Sequence, residues 1–254
     1  MKILVFVSKW IGNELINVLF SQFNDDEFTF IVSGPYSDEI IKKLQKNSCT
    51  YMILNQSTIN WILQKDNYYF DWLLNLWGSY IFTQEMILKS KKSLNIHPSL
   101  LPIGRGSDPI VWAIINNEPA GVTLHQISQK IDQGLILFQE KVDYEFPISG
   151  ENLYQKVINR CIEVFNEQWP AIRSNEKLTG IMQDESEKHN TSKRADLIDQ
   201  KTIDINKNKI YRELLLRILA NDFGDSFSLN AKYNDKLYSL KINIQEIEKE
   251  IKDE

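Results

Sequence analysis

Apolar and polar positions along the chain fall into a two-beat pattern that recurs from the first residues onward. Lys2 to Val7 is a continuous apolar run rich in β-branched residues, and Leu15, Val18, Leu19 and Phe20 behind it keep a helical period. The beat returns as Phe28 to Val32, closed by Ser33-Gly34-Pro35, then as a helix from Asp38 to Leu44 with Ile40, Ile41 and Leu44 on one face. Tyr51 to Leu54 predicts a third strand, Ser57 an N-cap for a helix carrying Ile59, Ile62 and Leu63, and Phe70 to Trp77 a fourth strand. Strands this apolar are covered on both faces. The pattern therefore predicts an α/β fold, a doubly wound, mostly parallel sheet between two layers of helices.

Leu94 and Ile96 then alternate with Asn95 and His97, and Pro98 forbids the ladder to continue, so a fifth strand ends there. Pro109 opens a helix to Asn116; Val122 to Ile127 and Leu135 to Val142 are strands flanking the Lys130 to Gly134 loop. Gly150 to Trp169 is a long amphipathic helix stopped by Pro170. Beyond Ser174 the apolar period fades. Asp184 to Asp204, with His189, reads as a polar linker, Ile210 to Leu219 as a helix burying Leu214, Leu215 and Ile218. Phe227 to Leu229, Ala231 to Tyr233 and Leu237 to Ile242 around Asn234-Asp235 predict a closing hairpin, and Glu246 to Glu254 a charged tail. The expected division is residues 1–172, a linker over 173–209, and a small C-terminal α+β part over 210–254.

In a doubly wound sheet, ligands sit beyond the carboxyl ends of the strands. Lys9 and Trp10, Gly78-Ser79-Tyr80, and Asn95 with His97 follow or end three such strands and are expected at one edge. Asn95 and His97 share a face, which brings an amide donor and a proton-carrying imidazole to one spot suited to acyl-type chemistry. A histidine before a proline is equally a hydrogen-bonded structural residue, and Lys9 is either a phosphate contact or a solvated lysine. His125, among apolar neighbours in a strand, reads as a packed histidine outside the chemistry. Asp132 alone reads as a turn former.

The order Asn95-x-His97-Pro98-Ser99-Leu100-Leu101-Pro102, then Arg105-Gly106, Pro109, Trp112-Ala113-Ile114, Gly121-Val122-Thr123-x-His125 and Ile131-Asp132-x-Gly134-x-Ile136, resembles the formyltransferase family that uses 10-formyltetrahydrofolate. The match is dense from Asp71 to Val142. It implies Asn95, His97 and Asp132 as the catalytic group, with N10-formyltetrahydrofolate as co-substrate and no metal. The pterin is expected between Trp77, Gly78, Ser79, Tyr80, Ile81 and Phe82 on one side and Ser128, Gln129 and Ile131 on the other. Lys9, Trp10, Ser99, Leu100, Arg105 and Gly106 are expected on the acceptor side, and Leu101-Pro102 is expected cis. Two departures stand out: no arginine lies near Tyr80, and Gly104 occupies a place where relatives carry a bulky residue.

After residue 190, Lys193-Arg194-Ala195-Asp196-Leu197, Ile203-Asp204 and Leu216 to Ala220 are similar to the tail of sugar N-formyltransferases. That implies a nucleotide-linked amino sugar as acceptor, dTDP-linked and destined for bacterial surface polysaccharide such as O-antigen. A formyl-folate hydrolase, a methionyl-tRNA or glycinamide ribonucleotide enzyme, and a non-catalytic folate binder are the alternatives.

Composition narrows the field. A net charge of −5 gives no electrostatic footprint for nucleic acid. Cys49 and Cys161 lack metal-ligand spacing and read as reduced residues of a cytoplasmic protein. No apolar run is long enough for a membrane span, and Met1 to Val7 is too short for a secretory leader. A G-x-G-x-x-G after strand one and a P-loop are both missing, which argues against dinucleotide and triphosphate chemistry. The apolar C-terminal hairpin, Phe227, Leu229, Leu237 and Leu240, predicts a homodimer.

Overall fold

The computed structural model describes residues 1–23, 25–175, 178–184, 191–198, 208–221, 228–233 and 235–244. The chain divides into two compact units, Met1–Arg194 and Ala195–Glu254.

The first unit runs β1 (Lys2–Ser8), α1 (Lys9–Gln22), β2 (Glu27–Ser33), α2 (Ser37–Lys46), β3 (Thr50–Ile53), α3 (Gln56–Leu63), β4 (Phe70–Leu76), α4 (Gln84–Ile87), β5 (Ser90–His97), α5 (Pro109–Ile115), β6 (Ala120–His125), β7 (Ile136–Val142) and α6 (Gly150–Ser174). Its sheet has the order β3-β2-β1-β4-β5-β6-β7. β3 to β5 pair in parallel, and β6 and β7 are antiparallel. Period-two alternation sends Ile3, Val5 and Val7 to one face, against Leu15, Leu19, Phe165 and Trp169. Leu4 and Phe6 go to the other, with Ile59, Ile62 and Met86. Each fully buried side chain of this kind stabilises the fold by about 1.5–3 kcal/mol. The strand order reverses between β1 and β4, so the chain parts at their carboxyl ends and leaves a crevice there.

Two local expectations change, and one helix is added. The α3 cap is Asn55, whose side chain accepts from the Thr58 N–H at 2.9 Å, and not Ser57. α6 continues through Pro170 to Ser174. Proline inside a helix costs about 3 kcal/mol, but the following turn buries Ile172, and Trp169 packs edge-on against Trp72 at 4.8 Å. Burial outweighs the lost backbone bond. The short α4, capped by Thr83, has no apolar period long enough to announce it.

α7 (Arg194–Ile198) begins at the division between the units. In the second unit α8 (Lys209–Ala220) precedes an antiparallel hairpin of β8 (Leu229–Tyr233) and β9 (Lys236–Leu240). No residue of α8 is buried, contrary to the expectation for Leu214, Leu215 and Ile218; Ile210 is 76% and Leu216 53% exposed. Among the described residues, the side chains of this helix are all left at least partly exposed. His189, Asp204, Phe227, Asn234 and Glu246 to Glu254 lie outside the described residues.

Candidate active site

β5 places the first two groups. Leu94 and Ile96 turn into the core, so Asn95 and His97 face the opposite way, and Pro98 ends the strand immediately after. β6 runs antiparallel beside it, with Asn95 opposite His125 and His97 opposite Thr123. The loop from β6 to β7 is drawn tight by Gln126 N–H donating to the Leu135 carbonyl at 2.8 Å. Gly134 is required in that loop, because a Cβ there would lie 1.7 Å from the Gln126 oxygen. Asp132 sits at φ 53°, a left-handed conformation that aspartate tolerates better than most residues.

The result is a compact polar cluster. Asp132 Oδ2 lies 3.6 Å from His97 Nδ1, and Oδ1 lies 3.5 Å from His125 Nε2. Gly106 N–H donates to Oδ2 at 2.9 Å. Asn95 Nδ2 is 2.9 Å from His125 Nε2 and 3.5 Å from Asp132 Oδ1. Asn75 Nδ2 donates to Asn95 Oδ1 at 2.9 Å, which turns the Asn95 amino group toward His125 and Asp132.

Tautomers follow from these partners. His97 Nε2 is 2.8 Å from the Gly104 carbonyl, which accepts only, so Nε2 carries the hydrogen. Nδ1, facing Asp132, is the nitrogen that gains and loses a proton. His125 Nδ1 donates to the Gln126 carbonyl at 2.9 Å, leaving neutral Nε2 to accept from Asn95. Burial by itself raises the Asp132 carboxyl, but the facing imidazoles of His97 and His125 and the Gly106 N–H outweigh it and hold the group far below the usual carboxylate range. Asp132 is therefore a carboxylate at any pH near neutral.

Two cavities meet at this cluster. The larger, about 830 Å³, is walled by Gly78, Ser79, Tyr80, Ile81 and Phe82 on one side and Ile127 to Gln133 on the other, with Lys193 and Arg194 at its edge. The smaller, about 360 Å³, is lined by Ser8, Lys9, Trp77, His97, Asp108, Tyr154 and Arg194. Asn75, Asn95, Gly106 and Asp132 line both. Four non-glycine residues of the smaller cavity, Lys9, Trp77, Asp108 and Asp132, have positive φ. Such backbone cost, of order 1–3 kcal/mol each, gathers where a site must be held in one shape.

Of the residues expected to contact folate, Gly78, Ser79, Tyr80, Ile81, Phe82, Ser128, Gln129 and Ile131 line the larger cavity, and Trp77 lines the smaller. Of those expected on the acceptor side, Lys9 and Gly106 reach the smaller cavity. Trp10 is 37% exposed and lines neither cavity, and neither do Ser99, Leu100 and Arg105. Arg105 is buried, with Nε and Nη2 on Gln183 Oε1 at 3.0 and 2.6 Å. Gly104, the unusual residue of the sequence, is at φ 71°, and a Cβ there would press on Ser99 and Pro109 at 3.0 Å. Its carbonyl fixes the His97 tautomer. The Leu101-Pro102 bond is cis as expected, and so is Phe146-Pro147.

His125, Asn75 and Gln183 belong to the cluster although sequence pattern alone does not select them. A polar Asn75 between Leu74 and Leu76 in a buried strand was the legible sign. His125 is placed by strand register, and Gln183 by a long-range return of the chain.

Residues 77–167 match the formyl transferase family. The chain is 38% identical over 76 residues to the GDP-perosamine N-formyltransferase of Brucella melitensis, covering 30% of this chain and 29% of that one. It spans less than half the length of the curated relatives it matches. The sugar N-formyltransferase of a Shewanella species superposes with a TM-score of 0.67 at 19% identity, covering 98% of this chain and 99% of the other. The formyltransferase PseJ of Anoxybacillus kamchatkensis, in complex with UDP-4,6-dideoxy-4-formamido-L-AltNAc and tetrahydrofolate, superposes with a TM-score of 0.59 at 25% identity, covering 78% and 89%. Residues 77–167 are thus similar to the formyl transferase family, within a fold shared with sugar N-formyltransferases.

Proposed function

We propose that this protein moves a formyl group from N10-formyltetrahydrofolate to the amine of a nucleotide-linked amino sugar. The observation that carries this is the meeting of two cavities at Asn95, Asp132 and, in the smaller one, His97. A two-substrate transfer needs one chamber for each partner and the chemistry where they touch. The larger chamber is of the size and mixed apolar and backbone character that a flat heteroaromatic ring takes, with Ile81, Phe82, Ile127 and Ile131 as walls.

The folate would supply a formyl carbon already activated toward attack. His97 Nδ1 takes the proton that the amine loses as its nitrogen bonds to that carbon, and returns it to the departing folate nitrogen. Asp132 holds the imidazolium formed in between. One Asn95 N–H is bound to His125 at 2.9 Å; the other makes only a contact at 3.5 Å with Asp132. That weak contact is the one exchanged for the formyl oxygen as it gains charge.

In this reading residues 1–172 hold the catalytic residues, 173–209 link while returning Gln183 and Arg194 to the site, and 210–254 join two copies through α8 and the hairpin. The acceptor is an amino-dideoxy sugar, dTDP-linked, on the way to surface polysaccharide such as O-antigen, and the compartment is the cytoplasm. Among the described residues no helix is long and apolar enough to cross a membrane. A net charge of −5 disfavours a tRNA acceptor.

The test is to incubate the protein with formyl-folate alone and with dTDP-, GDP- and UDP-linked amino sugars, following tetrahydrofolate. Release that depends on the amine supports the proposal. Release without any amine would make the protein a hydrolase, and no release at all a folate binder.

A further inference from the structure

Gln183 is a polar side chain where burial physics disfavours one. Its neighbours Ile181 and Met182 are 73% and 74% exposed, while Gln183 is 8% exposed. A chain passively laid on the surface would turn the apolar pair inward and the amide out. Here Ile181 is fixed against Ile136 by two backbone hydrogen bonds of 2.9 Å, and two residues further on Gln183 turns inward.

All of its hydrogen-bonding capacity is then used. Oε1 accepts from Arg105 Nε and Nη2 at 3.0 and 2.6 Å, and Nε2 donates to the carbonyls of Asp132 and Gly134 at 2.8 and 2.9 Å. Two acceptor sites and two hydrogens are what a glutamine amide has. The four partners belong to the two loops that build the site. Arg105 lies between Gly104, whose carbonyl fixes the His97 tautomer, and Gly106, whose N–H binds Asp132. Asp132 and Gly134 bracket the turn that presents the carboxylate.

We propose that Gln183 is a positioning residue for the transfer, holding the Asp132 turn and the Arg105 loop in register so that carboxylate, imidazole and Gly106 N–H stay matched. This rests on the formyl-transfer reading of the site. Gln183 lines neither cavity, so it acts through Asp132 and not on substrate.

Gln183→Glu separates its two roles. The carboxylate still accepts from Arg105, now with full charge, so the fold is kept; the two carbonyls lose their donors. A shift of the Asp132 turn by even a fraction of an ångström should lower kcat by about tenfold to a hundredfold. KM for the amino-sugar nucleotide should stay within about twofold, since uniform binding is untouched. In an Asp132→Asn background the same change should cost almost nothing more, because the group being positioned is already gone. Amide exchange at Gly106, read by NMR, should accelerate as its carboxylate acceptor drifts.

Parent-like kcat with parent-like Gly106 exchange overturns the proposal, and so does an equal loss in the Asp132→Asn background. Should Gln183→Glu not fold, the pair Arg105→Met with Gln183→Met replaces the buried cation and amide together, and the same readouts apply. If the parent itself shows no amine-dependent release, the functional reading fails, and Gly106 exchange alone decides for or against Gln183.

Discussion

Asn95 and His125 face each other across β5 and β6, with Asn95 Nδ2 2.9 Å from His125 Nε2. Because His125 Nδ1 donates to the Gln126 carbonyl, its Nε2 lone pair fixes one hydrogen of the Asn95 amide and so the direction of the other. The histidine that pattern alone reads as packing is thus the partner that aims the amide. Replacing it by leucine keeps the bulk and removes the acceptor. His125→Leu should fold and lose roughly ten- to a hundredfold in kcat, a fraction of what an oxyanion donor contributes. Steady-state kinetics beside a thermal melt would show it; an unchanged kcat returns His125 to the packing role.

What the sequence made legible, and what it hid, divides along physical lines. Lys2 to Val7, Phe28 to Val32 and Asn95-x-His97 carry period-two or apolar-run signals that are local, so the sheet and the edge where its ligands gather could be read from them. The partnership of Asn95 with His125 depends on antiparallel register between strands, and that of Gln183 with Asp132 spans a sequence separation of 51. Neither leaves a local trace. Pro170 misled because its cost is local while the burial of Trp169 and Ile172 that outweighs it is tertiary.

The Asp132 carboxyl makes a prediction about stability and pH. Its folded-state pKa lies below the ordinary value of about 3.9. The sign is that of a depressed acid: the contribution is complete above the unfolded pKa and is lost as pH falls through the folded one. Asp132→Asn should therefore be less stable than the parent at pH 5 and above, with the gap closing below about pH 4. Denaturant melts of both proteins across that range test it. A gap that stays constant down to pH 2 would show that the charge plays no part.

α8 presents Ile210, Leu214, Leu216 and Leu219 at 76%, 48%, 53% and 43% exposure, and β9 presents Leu237 at 69%. Apolar side chains left exposed on this scale around one helix make the kind of surface that a second copy covers. Sedimentation at micromolar concentration should give a dimer, and Leu214→Glu with Leu216→Glu should give a monomer. A parent that sediments as a monomer removes the homodimer from the proposal.

The catalytic assignment itself is tested by how the losses combine. Asp132→Asn keeps the shape of the turn and removes the charge that holds a protonated His97 Nδ1 at 3.6 Å, so folding should survive while kcat falls by about 10²-fold or more. His97→Asn should behave alike, since it removes the nitrogen to which the proton goes. Asn95→Ala takes away the donor for the developing oxyanion, at about 3 kcal/mol in the barrier. If the three act as one unit, the double variant His97→Asn with Asp132→Asn should be little slower than either alone, because a carboxylate has no imidazolium to stabilise once the imidazole is gone. Independent residues would instead multiply their losses. Near-parent turnover of an amino-sugar nucleotide by either single variant removes that residue from the chemistry, and strict multiplication leaves both in the site but breaks the link between them on which the proton's path depends.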